Sequence, residues 1–228
     1  MIKNILNLGD SAVYCDFGPE VNKETNRKVI NYFKYLKEKN IDGVLNLTPS
    51  YNKLIITFDL NITSFKKLKD FLVTIKIDQS NNSDGKKLEV PICCDEEFSL
   101  DIQRLEKKLN LDSQKILQRI FEKEYFCYMT GFIAGMPFFG DLDSDMRCNR
   151  LETPRLKVPK GSIGITEQFA NIYTEESPGG WNIIGKTPLE VFDRNNQENP
   201  ALINPGDVIQ FKLITKNDFD NYKWLLKF

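Results

Sequence analysis

Apolar residues recur along this chain at helical spacings in some stretches and in short β-prone runs in others, and one wholly polar stretch divides it. The β-prone run Ala12–Phe17 ends at Gly18-Pro19, a dipeptide that redirects the backbone, and predicts a strand. Val21, Thr25, Val29, Phe33 and Leu36 follow at spacings of three and four, which places one apolar stripe on a helix over about Asn22–Glu38. Val44–Leu47 and Leu54–Phe58 are strand-like, with a turn at Pro49-Ser50-Tyr51-Asn52 between them. Phe65, Leu68, Phe71, Leu72 and Ile75 define a second amphipathic helix. Gln79–Lys87 then carries no apolar side chain, so it cannot enter a core and marks a domain boundary. A strand is expected at Leu88–Cys94, and helical spacing returns at Ile102, Leu105 and Leu109 and, after Asp112-Ser113, at Ile116, Leu117 and Ile120. From Tyr125 onward short β-prone runs (Tyr125–Phe132, Ser162–Ile165, Asn171–Tyr173, Trp181–Ile184, Val208–Leu213) alternate with Pro and Gly turns, the pattern of a closed or nearly closed β-barrel. Asp218–Phe228 is expected to end the chain as a helix or strand. The fold class is α+β: a small N-terminal α+β domain over 1–80, a linker at about 79–87, and a β-barrel domain over 88–228.

Composition narrows the chemistry more than the fold. At 228 residues the chain suits one medium and one small domain, and 41% hydrophobic with 28% charged residues is enough to bury a core. Lys and Arg (31) balance Asp and Glu (32), so no general field draws it to nucleic acid or an anionic membrane. No apolar run approaches the roughly 20 residues of a membrane span, and the first residues lack a signal-peptide core, so a cytoplasmic protein is expected. The five cysteines (Cys15, Cys93, Cys94, Cys127, Cys148) form an odd set without C-x-x-C spacing, which points to reduced, mostly buried thiols. Histidine is absent, which removes Ser-His-Asp and Cys-His nucleophile pairs, histidine zinc sites and any imidazole base. Carboxylates, Lys, Arg, Tyr, hydroxyls and backbone amides are left to carry the chemistry.

Two glycine-rich, aromatic segments stand out against this background. Gly131-Phe132-Ile133-Ala134-Gly135-Met136-Pro137-Phe138-Phe139-Gly140 and Ser177-Pro178-Gly179-Gly180-Trp181 each combine backbone freedom with ring surface, a means of presenting amide N–H donors beside an apolar wall. The first reads equally well as a tight barrel corner. Thr153-Pro154-Arg155 and Val158-Pro159-Lys160-Gly161-Ser162-Ile163-Gly164 lie between them, so two loops and two cations are candidates to converge on an anionic group.

These stretches, Y-M-T-G-F-I-A-G-M-P-F-F-G-D-L-D at 128–143, T-P-R-L-K-V-P-K-G-S-I-G-I at 153–165 and I-Y-x-x-x-S-P-G-G-W-N-I-I-G-K-T-P-L at 172–189, resemble in order and spacing the signature of the family of KipI and the 5-oxoprolinase B subunit. The resemblance continues at Pro200-Ala201-Leu202 and Pro205-Gly206-Asp207, with weaker echoes at Gly9-Asp10-Ser11-Ala12, Pro49-Ser50-Tyr51 and Val90-Pro91-Ile92. It implies a cyclophilin-like barrel after the N-terminal α+β domain. It also implies a hydrolase subunit that works with 5-oxoprolinase subunits A and C to open 5-oxoproline to glutamate using ATP, the nucleotide being bound in the assembled complex. Inhibition of a histidine kinase, as KipI does, and a carboxyltransferase or allophanate hydrolase role are the alternatives it implies. The substrate-binding candidates are Tyr128, Phe132, Gly135, Pro137, Phe138, Arg155, Lys160, Ser162, Tyr173, Ser177, Gly179, Gly180 and Trp181; no catalytic residue and no metal ligand is assigned.

The chain departs from the family pattern in two places. A histidine ahead of the Tyr of the first segment is missing, with Ile120 nearest, and the proline inside that segment is Ala134. A G-G-x-Q-T-G stretch reads Thr166-Glu167-Gln168-Phe169-Ala170-Asn171. Gly180-Trp181-Asn182-Ile183-Ile184-Gly185-Lys186-Thr187 spells a phosphate loop, but its β-prone interior and the following Pro188 argue for a strand rather than a loop opening a helix. Asp141, Asp143 and Asp145 begin like a calcium loop without its later Gly and Glu, and Lys66-Lys67 and Lys86-Lys87 read as solvated surface.

Overall fold

The computed structural model describes residues 1–77 and 85–222. The chain forms two compact units, Met1–Ser83 and Asp84–Phe228. No helix among the described residues is long and apolar enough to cross a membrane.

The first unit is a four-stranded antiparallel sheet backed by two helices. Its elements are β1 (Asn4–Leu8), β2 (Ala12–Asp16), α1 (Lys23–Lys39), β3 (Val44–Pro49), β4 (Lys53–Phe58) and α2 (Phe65–Thr74), with strand order β1-β2-β4-β3. Helix α1 begins where the Asn22 side chain accepts the Thr25 N–H and ends at Asn40 in the left-handed region, a start and a stop built from short polar side chains. The inward positions of the sheet, Val13, Cys15, Leu54, Ile56 and Phe58, meet Val29, Tyr32 and Leu36 of α1 and Leu68 and Leu72 of α2 in one core. Strand β1 has no counterpart in the sequence reading, because its residues are mostly exposed and show no buried face.

Of the expected linker, residues 79–84 lie outside the described residues. Lys86 and Lys87 do not: Lys86 N–H donates to the Asp207 carboxylate at 2.8 Å, and Lys87 opens a strand.

The second unit is a curled seven-stranded sheet with few helices. In chain order it comprises β5 (Lys87–Ile92), α3 (Ile102–Leu109), α4 (Ser113–Phe121), β6 (Glu124–Thr130), β7 (Pro137–Gly140), β8 (Arg155–Val158), β9 (Ser162–Thr166), β10 (Phe169–Ile172), β11 (Ser177–Gly179), β12 (Asn182–Lys186), β13 (Val208–Leu213) and α5 (Lys216–Asn221). The sheet order is β12-β9-β10-β7-β6-β13-β5, with β8 and β11 pairing separately. Only β13 and β5 run parallel. The curl brings the two edges together at one end, where Cys93 and Lys186 exchange two backbone hydrogen bonds of 2.9 Å each.

Alternation decides which side chains fill the curl. Tyr125 and Cys127 of β6, Phe139 of β7, Ile163 and Ile165 of β9, Ala170 and Ile172 of β10, and Ile209 and Phe211 of β13 share one core, plugged by Leu105, Ile116 and Ile120 from α3 and α4. Each Ile, Leu or Phe among them contributes about 1.5–3 kcal/mol on burial. The neighbours on β7 and β10, Phe138 and Asn171, therefore face the other way, and the candidate site is built on that second face. The terminal segment is a helix over Lys216–Asn221; residues 223–228 lie outside the described residues.

Candidate functional site

A cavity of about 270 Å³ is lined by Phe132, Met136, Phe138, Arg150, Asn171, Tyr173, Pro178, Gly179 and Trp181. Three segments of chain wall it, and each is held by a different device.

The first wall is the loop between β6 and β7. Gly131 N–H donates to the Met136 carbonyl at 3.0 Å, Ile133 N–H to Gly131 at 2.8 Å, and Met136 N–H to Ile133 at 3.1 Å, so the loop closes on itself. Two positions take left-handed backbone, Phe132 at φ 66° and Gly135 at φ 67°. Gly135 is required twice over, since a Cβ there would also lie 2.2 Å from the Phe192 ring. Thr174 Oγ1 ties the loop down by donating to the Ala134 carbonyl at 2.9 Å. The Phe132 side chain is left 75% exposed at the rim.

The second wall joins β10 to β11 and the start of β12. Asn171 and Tyr173 fall on the outward phase of β10, while Ala170 and Ile172 enter the core. Asn171 Oδ1 accepts the Gly164 N–H at 3.2 Å, which orients its side chain beside the Tyr173 phenol. The Tyr173 phenol lies so close to β11 that a Cβ on Gly179 would stand 2.2 Å from its oxygen, so only glycine fits. Burial is the main influence on this phenol and raises its pKa; the Asn171 side chain, the Trp181 backbone amide and the Arg150 and Arg155 cations act against it. Trp181 meets Phe138 edge to face, with ring centroids 5.6 Å apart.

The third wall is the irregular segment 148–151, pinned by groups far away in sequence. Leu151 N–H donates to the Gly180 carbonyl at 2.7 Å, and Asn182 Nδ2 to the Asn149 carbonyl at 3.1 Å. Arg104 of α3 reaches the Asn149 and Arg150 carbonyls at 3.4 Å each and the Asn182 side-chain oxygen. One turn earlier, Asp101 receives both guanidinium nitrogens of Arg155, at 2.7 and 3.0 Å, and the Ile183 N–H at 2.7 Å. These bonds fix the backbone around Arg150 and leave its own guanidinium at the cavity without an ion-pair partner among the described residues.

Of the residues singled out from sequence, the cavity gathers Phe132, Phe138, Tyr173, Gly179 and Trp181. The others lie elsewhere. Tyr128 donates to Asp141 at 2.9 Å, and its pKa is raised by burial and by that carboxylate. Gly135 packs on Phe192, and Pro137 opens β7 opposite Thr130. Arg155 is committed to Asp101, and Lys160 to Glu190 at 2.6 Å. Ser162 is a buried strand residue opposite Lys186. Ser177 pairs with Val158, its hydroxyl buried without a hydrogen-bond partner among the described residues. Gly180 supplies the carbonyl that holds Leu151. Sequence reasoning missed Arg150 and Asn171; Met136 and Pro178 lie in the two glycine-rich segments it singled out, though not among its named binding residues. Asn171 was accessible to it, standing two residues before Tyr173 on one strand face; Arg150 carried no local signal.

The departures from the family pattern fall in identifiable places. Ile120 is a core residue of α4. The altered 166–171 stretch is the β9–β10 hairpin, turning at Glu167 with φ 44°, and its last residue lines the cavity. The phosphate-loop spelling is strand β12, and the Lys186 ammonium rests 5.5 and 5.9 Å from the Phe98 and Phe219 ring centroids. That segment does not fit a nucleotide's phosphates, which need successive amides wrapped around them at a helix start. Asp143 and Asp145 pair with Lys123 and Arg119.

Residues 3–203 match the family described as carboxyltransferase domain, subdomain C and D. The 5-oxoprolinase B subunit of Bacillus subtilis is 32% identical over 96% of this chain and 96% of its own length. The Haemophilus influenzae protein of the same name is 31% identical over 91% of this chain and 96% of its own. The crystal structure of TTHA0988 superposes with a TM-score of 0.80 at 27% identity, covering 89% of this chain and 40% of that longer one. Joined to its relatives over nearly its whole length, the chain belongs to the carboxyltransferase domain C and D family, the family of the 5-oxoprolinase B subunit.

Proposed function

We propose that this chain is the substrate-holding subunit of an ATP-dependent 5-oxoprolinase, which adds water across the ring C–N bond of 5-oxoproline and releases glutamate. The observation that carries this reading is the Arg150 guanidinium, without an ion-pair partner among the described residues, beside an aromatic cavity that also holds a buried phenol. A small cyclic amide with one carboxylate matches that set: the carboxylate pairs with Arg150 and the ring lies against Trp181 and Phe138. An amide carbonyl resists water because resonance makes it a poor electrophile, so hydrolysis needs donors where charge develops on its oxygen. ATP supplies the driving force in the assembled enzyme. The cyclophilin-like description of the barrel belongs to the same proposal and is supported by the near-closed sheet.

The test is reconstitution. Coexpressed with subunits A and C encoded in the same genome, the chain is expected to yield ATP-dependent glutamate release from 5-oxoproline. Arg150→Met should then lower kcat/KM by about 100-fold, the weight of a charge-assisted pair. A purified three-subunit complex with no turnover, or one indifferent to Arg150→Met, would overturn the proposal.

A further inference from the structure

The Tyr173 phenol occupies a position that the binding of an anion by Arg150 does not explain. It is 2% exposed, yet it lines the cavity. A buried Tyr hydroxyl has two lone pairs and one proton to place. The donors around this one are the Asn171 side-chain amide, oriented by Gly164, and the backbone N–H of Trp181. Both favour charge on that oxygen. No described acceptor takes the proton, and the side on which the phenol meets open space is the cavity. Gly179 keeps that approach clear, because any side chain there would collide with the phenol oxygen.

We propose that Tyr173 is a specificity-determining residue that donates its O–H to a ring carbonyl oxygen of the ligand and so selects cyclic amides over cyclic amines. This rests on the assignment of the cavity as the 5-oxoproline site and deepens it. Burial holds the phenol in its neutral, donating form well above neutral pH. A site built around one hydrogen bond rejects an analogue that lacks the partner, since the buried donor is then left unpaired. 5-Oxoproline and L-proline share the carboxylate that Arg150 would take; they differ in that carbonyl and in the ring nitrogen, a neutral amide in the first and a protonated amine in the second.

Titration calorimetry of the full chain with the two compounds separates the possibilities, with circular dichroism to verify that each variant is folded. The wild type is expected to bind 5-oxoproline about 10- to 100-fold more tightly than L-proline. Tyr173→Phe, which keeps the ring and removes the O–H, should narrow the preference by about 10-fold, chiefly by weakening 5-oxoproline. Tyr173→Phe that retains the wild-type ratio overturns the role of Tyr173 and leaves the cavity assignment standing. A wild-type chain that fails to bind 5-oxoproline overturns the cavity assignment itself. Equal loss of both ligands in Tyr173→Phe assigns Tyr173 to wall packing and also overturns the proposal.

Discussion

The loop 131–136 and the segment 148–151 face the same cavity, and they are held in opposite ways. The first is self-contained: its backbone bonds close within six positions, and a single side chain, Thr174, anchors it from outside. The second has almost no bonds of its own and is set by α3, through Arg104 on its carbonyls and Asp101 on Arg155, and by the backbone of Gly180. A self-closed loop can carry strain on its own account, and it does, with Phe132 in left-handed backbone. A segment held from a distance cannot, but it can present a charge whose position depends on the rest of the fold. The aromatic rim and the cationic rim thus report on different parts of the molecule.

The contrast is broken most severely from the distant side. Asp101 is 5% exposed and accepts from Arg155 and from Ile183 N–H at once, so Asp101→Ala leaves a half-buried guanidinium and a buried amide unpaired. The expected cost is about 3 kcal/mol, measured by urea denaturation, accompanied by weaker anion binding through Arg150. Stability within about 0.5 kcal/mol of the wild type would show that Asp101 does not hold the segment. On the self-contained side, Gly135→Ala must place a Cβ against Phe192 from a positive φ, and about 2 kcal/mol should be lost. That variant should leave the Arg150 wall in place, which a neutral lactam and an anionic one, titrated in parallel, would reveal as an unchanged preference for the anion.

A smaller effect with the opposite sign is expected at Phe132. Left-handed backbone costs a non-glycine residue about 1–2 kcal/mol, and glycine's greater freedom in the unfolded chain returns part of that. Since the ring is 75% exposed, Phe132→Gly gives up little packing. Its melting temperature should match or exceed the wild type, by up to about 1 kcal/mol in stability, while ligand affinity falls several-fold. A lower melting temperature with unaltered affinity would make Phe132 a structural residue.

The same contrast governs what could be read from the sequence. The helices of the first unit show in their periodicity because each has one buried face, strand β4 alternates in the same sense, and β2, β5 and β13 show as β-prone runs. Strand β7, with all of Pro137–Gly140 buried, and strand β11, interrupted by Pro178, show no such alternation. The 131–140 loop announced itself because its devices, glycines and aromatics, are local. Arg155 and Lys160 looked like the site cations for the same reason, since they follow prolines in conspicuous motifs. Which arginine is spoken for depends on Asp101, 54 positions away from Arg155, and no local pattern encodes that pairing. The junction of Cys93 with Lys186 that brings the sheet edges together is non-local in the same sense.

Tyr173 is where the two systems meet, next to the Thr174 that anchors one wall and against the Gly179 that belongs to the other. Its phenol titrates upward because burial outweighs the neighbouring amides and arginines. In the unfolded chain a phenol ionises near pH 10. Above that pH the unfolded state loses a proton that the folded state keeps, so stability is complete below about pH 10 and declines as pH rises toward the folded value. Tyr173→Phe has no proton to lose and should flatten the fall in melting temperature between about pH 9.5 and 11. The flattening should be partial, because Tyr32, Tyr125 and Tyr128 are shifted in the same direction by burial and remain. An alkaline limb identical to the wild type would mean that the Tyr173 phenol is already solvated in the folded chain. A solvated phenol would not be held against Asn171 and Trp181, and the selection between amide and amine would lose its physical basis together with the slope.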